Sequence, residues 1–170
     1  MMDAQTIARL YDYNFWADHR TMDSCATLTT EQLLQPVGGS FGSLRNTLAH
    51  IMDVEWLYLE RWQGRVPPSL PKAEDYPDLG AIRARWKDVE TNLTRYVGGL
   101  SNADLVRVVE FRNTKGILYR HPLWEMMQHL VNHGTYHRGQ VATLLRMLGS
   151  SAQATDLIAF YRERSGQPTQ

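Results

Sequence analysis

Cysteine is almost missing from this chain. Cys25 stands alone among 170 residues, which excludes an internal disulfide framework and any cysteine-rich zinc module. An excess of one charge is missing too, because 18 Lys and Arg balance 18 Asp and Glu. A protein built to grip nucleic acid or an anionic membrane needs a basic field, so neither is expected as a partner. No apolar run approaches the roughly 20 residues of a membrane span. Met1 to Leu10 carry acid and amide where a signal peptide has a basic patch and a long apolar stretch. What the chain does have is 43% apolar residues, with five Trp, eight Tyr and four Phe. That is enough for a sizeable core. The length suits one domain over residues 1–170, and the expected setting is soluble and cytoplasmic.

Apolar periodicity marks four long helices. The first follows Asp3 as N-cap and runs through Ile7, Tyr11, Met22 and Cys25 to Leu28. Pro36, Gly38 and Gly39 break the pattern, and Ser40 or Ser43 caps a second helix that carries Leu44, Leu48, Ile51 and Trp62. Pro67, Pro68, Pro71 and Pro77 end it, since proline lacks the amide hydrogen that a helix requires. A third helix starts near Asp78 and stops at Gly98 and Gly99. Val106 to Phe111 and Ile117 to Tyr119, around Asn113-Thr114-Lys115-Gly116, read as a short hairpin. The fourth long helix runs from about Pro122 to Leu148, and a short C-terminal helix follows a cap at or near Thr155. Amphipathic helices cannot bury their stripes singly, so the expected fold is all-α: a four-helix bundle with an extended hairpin before its last long helix.

Polar residues on the apolar faces are the informative anomaly. With Leu130 set at zero and about 100° per residue, Leu123, Met126, Val141, Leu144 and Leu148 fall within roughly 40° of it. His137 falls at about −20°, His133 at about −60° and His129 at about −100°, on the flank. Buried histidines often satisfy their nitrogens inside a core, but two stacked at i and i+4 would need partners in one place. Such a pair converges on a common point, as in helical H-x-x-x-H metal sites. Gly134 follows His133, which excludes an H-E-x-x-H protease. No Glu precedes a His by three, which excludes a di-iron bundle. A mononuclear site then needs a third ligand from elsewhere: His19, His50, His121 or His129, with helical position favouring His50. Asn14 and Asp18 share the face of Ile7, Tyr11 and Cys25, where an unpaired polar group is costly. They either bond neighbouring helices or look into a polar pocket. Trp16 points the other way, as a contact residue of a dimer would. Cys25 reads as a small apolar core residue rather than a nucleophile.

Several of these segments together resemble the DinB-like (DinB/YfiT) superfamily of bacterial metal-binding four-helix bundles. They are Tyr13-Asn14-Phe15-Trp16-Ala17, Thr47-Leu48-Ala49-His50-Ile51, Phe111 to Gly116, Pro122-Leu123-Trp124-Glu125-Met126 and, most specifically, His129 to Gln140. The resemblance implies a divalent ion, zinc or nickel, held by His50, His133 and His137. It also implies a homodimer, and thiol transfer or hydrolysis on a small electrophile; many members of the superfamily have no established reaction. Three neutral imidazoles leave the ion's charge unneutralised and a coordination position open, which suits activation of a thiol or water. Asn14, Asp18, Asp53 and Glu125 are candidates by location to orient the imidazoles. No residue is assigned a catalytic role. The competing readings are a non-catalytic, stress-associated bundle around a structural ion and a metal-free interaction module.

Overall fold

A computed structural model describes residues 2–113 and 115–168. Met1, Thr169, Gln170 and Thr114 of the expected turn lie outside the described residues. The chain runs α1 (Ala4–Cys25), α2 (Thr30–Leu34), α3 (Leu44–Trp62), a 3-10 turn (Ala73–Asp75), α4 (Leu79–Gly98), α5 (Asn102–Leu105), β1 (Val108–Arg112), β2 (Leu118–Pro122), α6 (Leu123–Met147) and α7 (Leu157–Arg164). The long helices α1, α3, α4 and α6 form the expected bundle.

Local chemistry sets the helix starts. Asp3 Oδ1 accepts from the Thr6 amide at 2.7 Å, and Asp78 Oδ1 accepts from the Ala81 amide at 2.8 Å. For α3 the cap is Ser43, not Ser40, and its Oγ accepts from the Asn46 amide. The first helix is shorter than its apolar pattern predicts. It ends at Cys25, and a separate α2 begins after Thr29. The reason is a competing capping box: Thr29 Oγ1 accepts from the Gln32 amide while Gln32 Oε1 accepts from the Thr29 amide. The hairpin exists but sits further along than expected. Val106 and Arg107 follow α5, whose Ser101–Asp104 capping box claims the chain before it. Phe111 then pairs with Tyr119 across the strands.

The helices pack in the cyclic order α1–α6–α3–α4. Consecutive long helices α1 and α3 are therefore diagonal, and the connection over residues 26–43 crosses one end of the bundle. Ile7, Tyr11, Leu48, Ile51, Ile82, Leu93, Leu123 and Leu130 fill the centre. α7 lies against α1, and here the expectation for Trp16 is corrected. Its ring meets Phe160 at 5.6 Å and its Nε1 donates to Glu163 at 3.1 Å, so it is a contact within the chain. The hydrophobic stripe of α1 gave no sign that the C-terminal helix would cover its outer side.

Cys25 is fully buried, and burial pushes its thiol up to about 12. The reactive thiolate is then scarce at neutral pH. Ellman's reagent at pH 8 is expected to leave the native protein unlabelled and to titrate one thiol after unfolding in guanidinium. Rapid labelling of the native state would contradict this burial.

Candidate metal centre

α3 and α6 pack side by side, and this contact brings His50 against His133 and His137. One ligand nitrogen from each ring lies within 4.8 Å of the others. The Nε2 atoms of His50 and His133 are 3.1 Å apart. Ligand nitrogens about 2.0–2.1 Å from a tetrahedral ion sit about 3.3 Å apart, so this spacing suits a cation shared between lone pairs. The i,i+4 pair supplies two donors because α6 turns once between them, and its ring centroids are 4.3 Å apart. His137 is buried, while His50 and His133 are half-buried.

The surroundings keep His50 and His133 neutral. Burial, reinforced by His137, lowers His50 to about 4. Burial, together with the neighbouring histidines and Arg138, lowers His133 to about 3. Both imidazoles therefore offer lone pairs at neutral pH. The Nδ1–H of His137 donates to Gln140 Oε1 at 2.8 Å, which leaves its Nε2 free for the cluster. Gln140 Nε2 in turn donates to Ser40 Oγ at 3.2 Å. Phe41 stacks on His50 with ring centroids 4.1 Å apart and leans on His137 at 5.5 Å, covering one side. The other nitrogen of His133, Nδ1, is buried with no hydrogen-bond partner among the described residues. Three imidazole donors within reach of one point, with no carboxylate in the set, fit a divalent ion of imidazole preference.

The remaining histidines go elsewhere. His19 is exposed and meets Glu90 at 2.7 Å, His121 meets Glu125 at 3.1 Å, and His129 stacks near Tyr58. Nor, among the described hydrogen bonds, do Asn14, Asp18, Asp53 or Glu125 reach a triad imidazole. Asp53 accepts from the Tyr76 hydroxyl at 2.9 Å, and its carboxyl is pushed up to about 6 by burial. Glu125 turns to His121, two turns of α6 before His133.

Asn14 and Asp18 instead belong to a buried network that pattern reading did not complete. Arg138 Nη1 donates to Asp18 Oδ1 at 2.8 Å and to Asn14 Oδ1 at 2.9 Å. Asn14 Nδ2 donates to Glu55 Oε1 at 2.6 Å and to Asp18 Oδ2 at 2.9 Å. Trp86 Nε1 donates to Glu55 Oε2 at 2.8 Å. Two carboxyls share one guanidinium here. Burial raises both, and the charge of Asp18 pushes Glu55 further up. Glu55, Arg138, Gln140 and Phe41 carried no periodic signal that named them. The only hint was that Asn14 and Asp18, on a buried face, had to find partners.

Gly134 makes room for this network. A Cβ there would lie 2.6 Å from Arg138 Nη1 and 2.9 Å from Asn14 Oδ1, whereas at Gly139 on the same helix it would meet nothing within 4 Å. The two substitutions should therefore differ in sign. Gly139→Ala is expected to stabilise by up to about 1 kcal/mol through helix propensity. Gly134→Ala should destabilise by about 1–3 kcal/mol through overpacking. Urea unfolding checks both, and equal effects would refute the close approach.

Comparisons with known proteins agree with this architecture. Residues 1–168 match the sequence model of the DinB family. Protein DinB of Bacillus subtilis is 27% identical over 153 residues, which cover 87% of this chain and 89% of that protein. The uncharacterized protein YizA of the same organism is 26% identical over 150 residues, covering 88% and 92%. A crystal structure of a DinB-like protein from Bacillus cereus superposes with a TM-score of 0.69 at 20% identity, over 89% of this chain and 97% of that one. At that identity the last likeness speaks for the fold alone.

Proposed function

Because the chain belongs to the DinB family, we propose that its three-histidine cluster holds a divalent ion, zinc or nickel, at the centre of a metal-dependent enzyme of thiol-transferase or hydrolase type. The carrying observation is the donor set: His50, His133 and His137 converge without a carboxylate, and two of them keep partial exposure. When bound, such an ion supplies Lewis acidity that activates a low-molecular-weight thiol or water against a small electrophilic substrate. The chain's own residues do the rest. Gln140 holds the proton of His137 on Nδ1, so that Nε2 keeps its lone pair. Phe41 shields one side of His50 from water. The Arg138 network fixes the rotation of α6 that aims His133 and His137 at α3.

Zero net charge gives no basic field for nucleic acid, and no described helix is long and apolar enough to cross a membrane. A small-molecule thiol and an electrophile are the partners this reading assigns, with residues 1–170 acting as one domain in the cytoplasm. Exposed Tyr136, Met147 and Ile158 supply apolar contacts for a homodimer. A second reading draws on the way the triad ties α3 to α6: a stress-associated, non-catalytic bundle in which the ion is structural.

Metal analysis of untagged protein should find about one equivalent of a divalent ion per chain, and less than roughly a tenth would count against the site. Thiol consumption with an electrophile should then vanish in a folded His133→Ala variant. If that variant merely melts earlier, and no thiol and electrophile pair turns over with the parent protein, the structural reading replaces the enzymatic one. Gln140→Ala should weaken zinc affinity about 10–100-fold in a competition titration with a chromogenic chelator; unchanged affinity would remove the orienting role given to Gln140.

A further inference from the structure

A second feature lies one turn of α6 before the triad. Between the hairpin and the helices is a cavity of about 430 Å³, within the range of small-molecule sites. Its hairpin side is a rack of rings. Phe111 and Tyr119 stack at 5.7 Å with planes 23° apart, and Tyr119 and His121 follow at 6.4 Å and 17°. Its helix side presents Tyr58 and His129, whose rings lie 5.5 Å apart. Among the described lining residues there is no Lys or Arg, and Glu125 is the one carboxylate. Arg61 lies behind these rings, its guanidinium 4.3 Å from the centre of Phe111 and 5.3 Å from that of Tyr58. Near-parallel ring faces with little fixed charge select flat, uncharged, π-rich molecules over anions and over puckered alicyclic ones.

The cavity also lies beside the metal centre. The ring of His129, in its wall, is 6.1 Å from the ring of His133. We infer that this cavity is the recognition site for a planar, uncharged aromatic substrate, held between Tyr58 and Tyr119 with its reactive end directed past His129 toward the triad. The direction of the reactive end rests on the metal-centre reading, while the binding itself does not.

The probe is 2-naphthol, with decahydro-2-naphthol as its saturated counterpart, titrated into the full chain and followed by NMR in chelated and zinc-loaded protein. Saturable ring-current shifts are expected at Tyr58, Tyr119 and His129 in both forms. The saturated compound should bind at least about threefold more weakly, and Tyr119→Ala should lower 2-naphthol affinity roughly 3–10-fold while Tyr119→Phe preserves it. Tyr119 is a partly exposed strand residue, and Tyr119→Phe controls for any change in folding. Absence of saturation, shifts centred elsewhere, equal affinity for the saturated compound or an unaffected Tyr119→Ala would each overturn the site. With cobalt in place of zinc, the probe's protons should relax faster; unchanged relaxation would overturn its direction toward the triad. Binding in the chelated protein without any turnover in the loaded one would remove the enzymatic reading and leave the cavity's specificity standing. Turnover without 2-naphthol binding would do the reverse.

Discussion

The buried contact between Arg138 and Asp18 is the constraint on which the rest of the bundle's geometry depends. Both side chains are almost completely withdrawn from water, and an ion pair in that position is tolerable only if its remaining donors and acceptors are satisfied. Asn14 and Thr135 supply most of them, Arg138 Nε being left without a partner among the described residues, and Asn14 is held in turn by Glu55, which accepts from Trp86. Through these partners one cluster touches α1, α3, α4 and α6 at a single level. A purely apolar bundle of this size could slide or rotate its helices at small cost, because dispersion and burial are not directional. The guanidinium fork is directional. It sets the rotation of α6, and with it the aim of the histidines on either side of Gly134.

Much of this was readable in advance, for identifiable reasons. The stripe on α6 exposed His133 and His137 as misplaced polar groups because period and identity are both local properties of the sequence. The third ligand was less plain: helical position favoured His50 over His19, His121 and His129, and the family resemblance implied it. Asn14 and Asp18 also announced themselves as buried polar residues, but their partners did not. Arg138 looks like an ordinary solvent-facing charge until α1 is packed against it, and Glu55 becomes special only through Asn14 on α1 and Trp86 on α4. The same holds for Phe41, which lies in a connection without periodicity and gains meaning from the face of His50. Trp16 departs from its pattern for a related reason: a residue facing away from one helix stripe need not face water, and here it meets α7. The short α2 and the shifted hairpin reflect capping boxes at Thr29 and Ser101, where four-residue chemistry overrode a longer apolar pattern.

The donor set and the aromatic cavity divide the chemistry between two kinds of environment. Around His50 and His137 the neighbours are neutral: an amide, a hydroxyl and a phenyl ring. None of them offsets positive charge. Beside the hairpin the walls are flat and π-rich, suited to grip a molecule by its faces and leave its edge unengaged. The boundary between these regions is a single helical turn of α6, from His129 to His133. On the proposed reading, selection and activation meet along that turn of α6, with α3 and the hairpin completing each site.

The cyclic helix order also has a consequence for biosynthesis. His50 and His133 are 83 positions apart, and Asn14 and Arg138 are separated by 124. At about 5–20 residues per second, His50 leaves the ribosome roughly 4–17 s before its partners on the last long helix. Over that interval α1, α3 and α4 hold two acidic side chains without their cation and a lone imidazole without its companions. A nascent chain in that condition lacks both the guanidinium that its carboxyls face and the imidazoles that His50 meets, and it gains them only when its final third docks.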